Sequence, residues 1–144
     1  MDIITTILNA AKVAKVSGTL LLAVCTHESG LKNVVVLEDK GSPSIGACQI
    51  KKGTAQLMKF RGKEGQLLKP EVNIYYSAKY LKYQLDRYEN NWVKAVAAYN
   101  AGSYRESSVM PGCPKNLKYV NLVKSKLPYK YRSKLQCTSE IAKK

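Results

Sequence analysis

A chain of 144 residues has the length of one domain, and its 45% hydrophobic and 24% charged content is that of a folded protein. This excludes a disordered chain, a collagen-like repeat and a coiled-coil rod. The longest apolar run, Leu20 to Cys25, falls far short of the about 20 residues that span a bilayer. Twenty Lys and four Arg against ten acidic residues leave a formal charge of +14, so the natural surroundings are expected to be anionic.

Met1 to Val16 reads as an amphipathic helix of the mature protein rather than an export signal. Asp2 stands where a positive start is expected, and Asn9, Lys12 and Lys15 interrupt any apolar core. The expectation is a chain made in a cytoplasm and delivered by some route other than a signal peptide. Ser17 can cap a helix from Gly18 to Ser29, with Gly30 as its left-handed stop. Leu20 to Cys25 makes this helix apolar on nearly every side, which marks it as central and buried. Residues 30–49 read as a loop with a short hairpin using Val34 to Leu37, and a short helix follows Gly53. Pro70 and Glu71 open the longest helix, to about Arg87, with Val72, Tyr76, Leu81, Leu85 and Tyr88 as its apolar stripe. Asn90 or Asn91 caps the next, Trp92 to Ala101, stopped by Gly102. After the turn at Pro111, Gly112 and Pro114, a last helix carries Leu117, Val120, Val123 and Leu127. The expected fold is one mostly α domain over residues 1–144, built around the central buried helix, with at most a small β-hairpin.

The four cysteines have no metal-like spacing with His27, the only histidine, so no metal site is expected. Cys25 and Cys48 read most simply as thiols packed as small apolar residues. A bridge between Cys113 and Cys137, which flank the last helix, is kept as an alternative.

Glu28 is the first candidate for chemistry. It sits where the most apolar helix ends, so burial and the negative end of the helix both disfavour its charged form, as a general acid requires. The competing reading is a surface carboxylate in a frayed last turn. Gly46-Ala47-Cys48-Gln49, followed by Thr54-Ala55, offers close backbone approach and an amide to a polar ligand. Tyr99 and Asn100 at a helix end can present a hydroxyl and an amide side by side, or they can pack and cap.

In order along the chain, these segments resemble the catalytic domain of soluble lytic transglycosylases, relatives of goose-type lysozyme. The family's Glu-Ser motif matches Glu28-Ser29. Its Gly-Leu-Met-Gln segment is similar to Gly46-Ala47-Cys48-Gln49, and its Asn-x-x-x-Gly-x-x-Tyr-Leu helix to Asn73 to Leu81, with Ala78 near the glycine position. Ala-Tyr-Asn-Ala-Gly stands unaltered at 98–102, and Tyr119-Val120 resembles the late Tyr-Val pair.

The resemblance implies cleavage of the β-1,4 bond between N-acetylmuramic acid and N-acetylglucosamine in peptidoglycan, leaving 1,6-anhydro ends. Glu28 would be the catalytic acid and base, and no cofactor is implied. Ser29, Gln49, Tyr99, Asn100 and Tyr119 would bind substrate, with Ser42 and Ser44 both candidates for the family's loop serine. A hydrolytic lysozyme is the near alternative, with Glu38 or Asp39 as second carboxylate. A basic nucleic-acid or wall-binding module without catalysis is the alternative of another class. Against specific nucleic-acid binding, the cations are mostly Lys and no recognition motif is present. The expected partner is the glycan strand, met by a monomer that does not insert into membrane. The expected setting is a bacteriophage endolysin, or a virion-borne enzyme, that reaches the wall after release.

Overall fold

The computed structural model describes residues 2–139, which divide into a unit ending at Lys82 and a unit starting at Tyr83. The fold is mostly α with one small antiparallel sheet.

In the first unit, α1 spans Ile3–Ala14 and buries Ile7 and Ala11. Asp2 caps it, accepting from the Thr5 backbone N–H at 2.7 Å, so this residue starts a helix. Hydrogen bonds from Thr5 hold the Asp2 carboxyl below the usual carboxylate range. α2 spans Gly18–Ser29 as expected, with Ser17 accepting from the Leu20 N–H at 3.1 Å and Gly30 closing the helix in the left-handed region. Leu20, Leu21, Ala23, Val24 and Cys25 are all buried, so α2 is the central element of its unit. β1 (Val35–Asp39) pairs with β2 (Ser42–Ile45), placing Val35 opposite Ile45 and Asp39 opposite Ser42. Lys40 and Gly41 both have positive φ at the turn, matching the twist of a tight hairpin. Val34 lies just outside the strand that the sequence was expected to start there. α3 is a short helix, Lys52–Leu57, and a 3₁₀ turn over Glu64–Leu68 buries Leu67.

α4, Pro70–Arg87, has the expected bounds but a different buried face. Ile74, Ala78, Leu81 and Leu85 are buried together with the polar Asn73, Ser77 and Gln84, whereas Val72, Tyr76 and Tyr88 are only half-buried. Apolar periodicity misplaces the stripe because three of its members are amide or hydroxyl side chains.

In the second unit, α5 is Trp92–Ala101, and Asn91 provides its cap, accepting from the Lys94 N–H at 3.0 Å. Trp92, Val93 and Ala95 to Tyr99 are buried. α6 is Leu117–Lys124, so Leu127 lies beyond the helix expected to carry it, though it is buried. A second 3₁₀ turn, Tyr129–Leu135, buries Leu135.

The cysteine reading is corrected here. Cys25 is bonded to Cys48 and Cys113 to Cys137. All four are buried as small apolar residues should be, but as cystines. No helix among the described residues is long and apolar enough to cross a membrane.

Candidate active site

In the first unit, Glu28 lies in the last turn of α2, half-buried, one turn beyond Cys25. Two links tie this helix end to the turn at 45–50. The Cys25–Cys48 disulfide brings the two Cα atoms to 4.3 Å. Ser29 Oγ donates to the Ala47 carbonyl at 2.6 Å and accepts from the Lys32 N–H at 3.1 Å. Ser29 is therefore a clamp between helix and turn.

The turn itself is closed by reciprocal backbone bonds between Ile45 and Ile50, both 3.0 Å. It rests on the fully buried Asn73 of α4. The Asn73 Oδ1 accepts from the Cys48 N–H at 3.1 Å, and its Nδ2 donates to the carbonyls of Ile45 at 2.6 Å and Leu67 at 2.9 Å. Gly46 is required above this amide. Its φ is +81°, and a Cβ there would sit 2.5 Å from Asn73 Cγ. Gln49 also adopts positive φ. Its Nε2 donates to the carbonyls of Val34 at 2.9 Å and Gly46 at 3.0 Å, so both amide hydrogens are used within the turn.

The two loop serines differ. Ser44 is buried and donates to Asp39 Oδ2 at 2.6 Å, while Ser42 is half-buried opposite Asp39. Glu38 accepts from the Gly41 N–H at 3.1 Å. Both hairpin carboxylates are thus engaged in shaping the hairpin.

In the second unit, Tyr99 and Asn100 occupy the last turn of α5, the tyrosine buried and the asparagine exposed. A helix end leaves carbonyls without intrahelical partners, and side chains fill that gap here. Asn116 Nδ2 donates to the Ala97 carbonyl at 3.0 Å and to Asn100 Oδ1 at 2.9 Å. Gln84 Nε2 donates to the Ala98 and Gly102 carbonyls at 3.4 and 3.2 Å, and Arg87 adds a bond to the Gly102 carbonyl at 2.9 Å. Tyr119 stands half-buried in the first turn of α6. The sequence reading missed Asn116, Gln84 and Arg87. A glutamine within the apolar row of α4 and an asparagine just before α6 were the only signals available. Among the described residues, no group of three His, Cys, Asp or Glu is placed to hold a metal ion.

A family model described as the transglycosylase SLT domain matches residues 5–110. The soluble lytic murein transglycosylase of Salmonella typhimurium is 37% identical over 97 residues, covering 62% of this chain and 14% of that protein. Two solved structures share the fold. An inactive mutant of the lytic transglycosylase Slt from Pseudomonas aeruginosa aligns with a TM-score of 0.62 at 22% identity, over 92% of this chain and 22% of that one. The 70 kDa soluble lytic transglycosylase of Escherichia coli aligns with a TM-score of 0.59 at 21% identity, over 91% and 22%. The chain thus spans about a seventh of the curated relative and about a fifth of each solved protein. With the family match running unbroken from α1 past the Ala98–Gly102 signature, this chain belongs to the transglycosylase SLT domain family.

Proposed function

We propose that the chain is a peptidoglycan lytic transglycosylase, acting over residues 1–144 as one lysozyme-like catalytic domain. It would cleave the β-1,4 bond between N-acetylmuramic acid and N-acetylglucosamine. The observation that carries this reading is Glu28, placed at the end of the buried helix of an SLT-family chain and cross-linked, one turn away, to the turn that presents Gln49.

Glu28 protonates the glycosidic oxygen, and the C1–O bond breaks with oxocarbenium-like character. The carboxylate so formed then takes the proton of the muramoyl C6 hydroxyl. O6 closes on C1, and Glu28 ends protonated again. One carboxyl serves both steps because donation leaves the base that the second step needs. Gln49, Tyr99, Asn100 and Tyr119 are the proposed substrate-binding groups, supplying dipoles to sugar and carboxyl. For the loop serine we favour Ser42, since the Ser44 hydroxyl is given to Asp39. For Ser29 the clamp on Ala47 favours a positioning role.

Hydrolysis needs a second carboxylate about 6.5–9.5 Å from the acid, free to activate water. The hydrogen bonds of Glu38 and Asp39 within the hairpin favour the water-free route. A nucleic-acid or wall-binding module without catalysis leaves the acid at this helix end without a task.

Two buried disulfides favour work in an oxidising compartment. For the setting we propose bacteriophage lysis, with the enzyme reaching the wall once the membrane is opened.

Digestion of purified peptidoglycan tests the activity. Wild type is expected to yield 1,6-anhydromuramoyl ends by mass spectrometry, and Glu28→Gln to yield at least 10³-fold less (on the order of what a missing general acid removes). Reducing muramic acid ends would establish hydrolysis, and unchanged lysis by Glu28→Gln would end the catalytic reading. In cultures expressing the wild type, lysis only after membrane opening supports the proposed setting, and lysis of intact cells contradicts it.

A further inference from the structure

At the other end of α5 from Tyr99 and Asn100, the second unit holds a cavity of about 520 Å³. This is within the range of about 300–1,000 Å³ usual for ligand pockets. Eight residues separate Trp92 from Asn100, so at 1.5 Å per residue the cavity lies about 12 Å along the helix from that pair.

Trp92, the only tryptophan of the chain, and Tyr104 line it. Each ring carries a lysine. The Lys134 ammonium is 4.6 Å from the Trp92 centroid and that of Lys94 is 5.2 Å from the Tyr104 centroid. Among the described residues, neither ammonium has a carboxylate partner. A lysine resting on an aromatic face is held in place with its remaining N–H donors directed elsewhere. One carboxylate, Glu106, also lines the cavity, accepting a long hydrogen bond of 3.5 Å from the Tyr104 hydroxyl. Burial, with Glu106 beside it, pushes the Tyr104 phenol up, so it stays a neutral donor.

The far wall lies outside residues 5–110, the span that the family model matches. It consists of Gly112 and the tail from Lys134 to Thr138, and it is fastened firmly. Cys137 is bonded to Cys113, and the Thr138 N–H donates to the Gly112 carbonyl at 3.4 Å. A Cβ on Gly112 would lie 2.8 Å from Thr138 Cβ, so the two segments touch.

Two cations and one anion are thus pre-placed around one cavity. We propose that this cavity binds the acidic stem peptide borne by the muramoyl residues of peptidoglycan. A stem tripeptide ending in lysine carries two carboxylates, one on its D-glutamate and one at its C-terminus, and one ammonium on the lysine side chain. Lys94 and Lys134 take the carboxylates, and Glu106 takes the ammonium. The inference rests on the wall-degrading reading above and extends it from the glycan to its peptide branch.

The test is titration of the full chain with a muramyl tripeptide ending in lysine, followed by Trp92 fluorescence. Saturable binding is expected, at least tenfold weaker in the double variant Lys94→Gln with Lys134→Gln. Glu106→Gln should weaken the tripeptide but not its analogue acetylated on the lysine side chain. Turnover of peptide-free glycan strands by the double variant should stay within twofold of wild type, which also reports that the fold survives. A wild type that forms anhydro ends yet ignores the tripeptide overturns the pocket alone. Tripeptide binding by a chain that never forms anhydro ends overturns the catalytic reading alone. Inorganic phosphate displacing the tripeptide at equal concentration shows a general anion site and overturns the proposal, as does equal binding by the double variant.

Discussion

Replacing Cys25 and Cys48 together by alanine removes the covalent link between the Glu28 helix and the Gln49 turn. The two residues are separated by 23 in sequence. In the chain-entropy treatment, opening a loop of that length returns about 11.5 cal/mol/K to the unfolded chain, or about 3.4 kcal/mol at 25 °C. Set against a total stability of about 5–15 kcal/mol, this is a large fraction. With a urea slope of about 1–3 kcal/mol per molar, the midpoint should fall by about 1–3 M. The pair Cys113 and Cys137, separated by 24, provides the control, because nearly equal loop length predicts nearly equal destabilisation. The two variants should differ in chemistry. Only the first frees the turn that Ser29 and Asn73 then hold by hydrogen bonds alone. Peptidoglycan cleavage well below the unfolding midpoint should therefore fall further in the Cys25/Cys48 variant than in the Cys113/Cys137 variant. Urea melts followed by circular dichroism, with product release measured in the same buffers, check both statements. A Cys25/Cys48 variant with an unmoved midpoint and undiminished cleavage would refute the reasoning, since the link would then constrain neither the chain nor the site.

Gly46→Ala should destabilise by about 2 kcal/mol, or ~7 °C in melting temperature for a chain of this length, since it combines a left-handed backbone with overlap on the Asn73 amide. An unchanged melt would mean that Asn73 is not fixed where its three hydrogen bonds place it. Lysis of whole walls should weaken with ionic strength more than cleavage of short neutral fragments does. The +14 charge acts at a distance on an anionic envelope, and the screening length shrinks from about 10 Å at 0.1 M salt to about 3 Å at 1 M. Equal salt sensitivity on both substrates is the contrary result.

Helix positions were legible wherever a capping residue and a glycine bracket an apolar run. α2 has Ser17 and Gly30, α5 has Asn91 and Gly102, and α4 opens on Pro70. The Val-rich strand of the hairpin was legible for the same local reason. What local pattern could not supply was long-range partnership. Cys25 and Cys48 look like small apolar residues because they are buried as such, and nothing near either one announces the other. The polar members of the buried face of α4 were hidden likewise. Asn73 and Gln84 read as gaps in an apolar stripe until their acceptors are seen, and those acceptors are carbonyls up to 28 residues away in sequence. The tail after α6 carries a strong charge signal and a weak apolar one, so its 3₁₀ turn and the wall it builds beside Trp92 could not be read from composition.

Glu28 in the first unit and Tyr99 and Asn100 in the second lie at helix C-termini, and this placement has a physical reason. A C-terminus concentrates carbonyls that lack partners, and the fold must bring donors to them or leave them to a ligand. α5 receives its donors from Asn116 and Gln84, so the Tyr99 and Asn100 turn is held by side chains from outside its own helix. At the end of α2 residues of the helix and its cap act as donors, Ser29 Oγ reaching the Cys25 carbonyl at 3.4 Å. Gly30 returns one backbone N–H to Thr26, and Thr26 Oγ1 donates to the Leu22 carbonyl at 2.6 Å. Ser29 gives its shorter bond, 2.6 Å, away from the helix to Ala47. On the proposed mechanism Glu28 gains from this placement, because the negative end of a helix opposes the charge of a carboxylate and so favours the protonated acid. The disulfide one turn back lets the helix keep this end without fraying, because Cys25 cannot leave Cys48 when the last hydrogen bonds open.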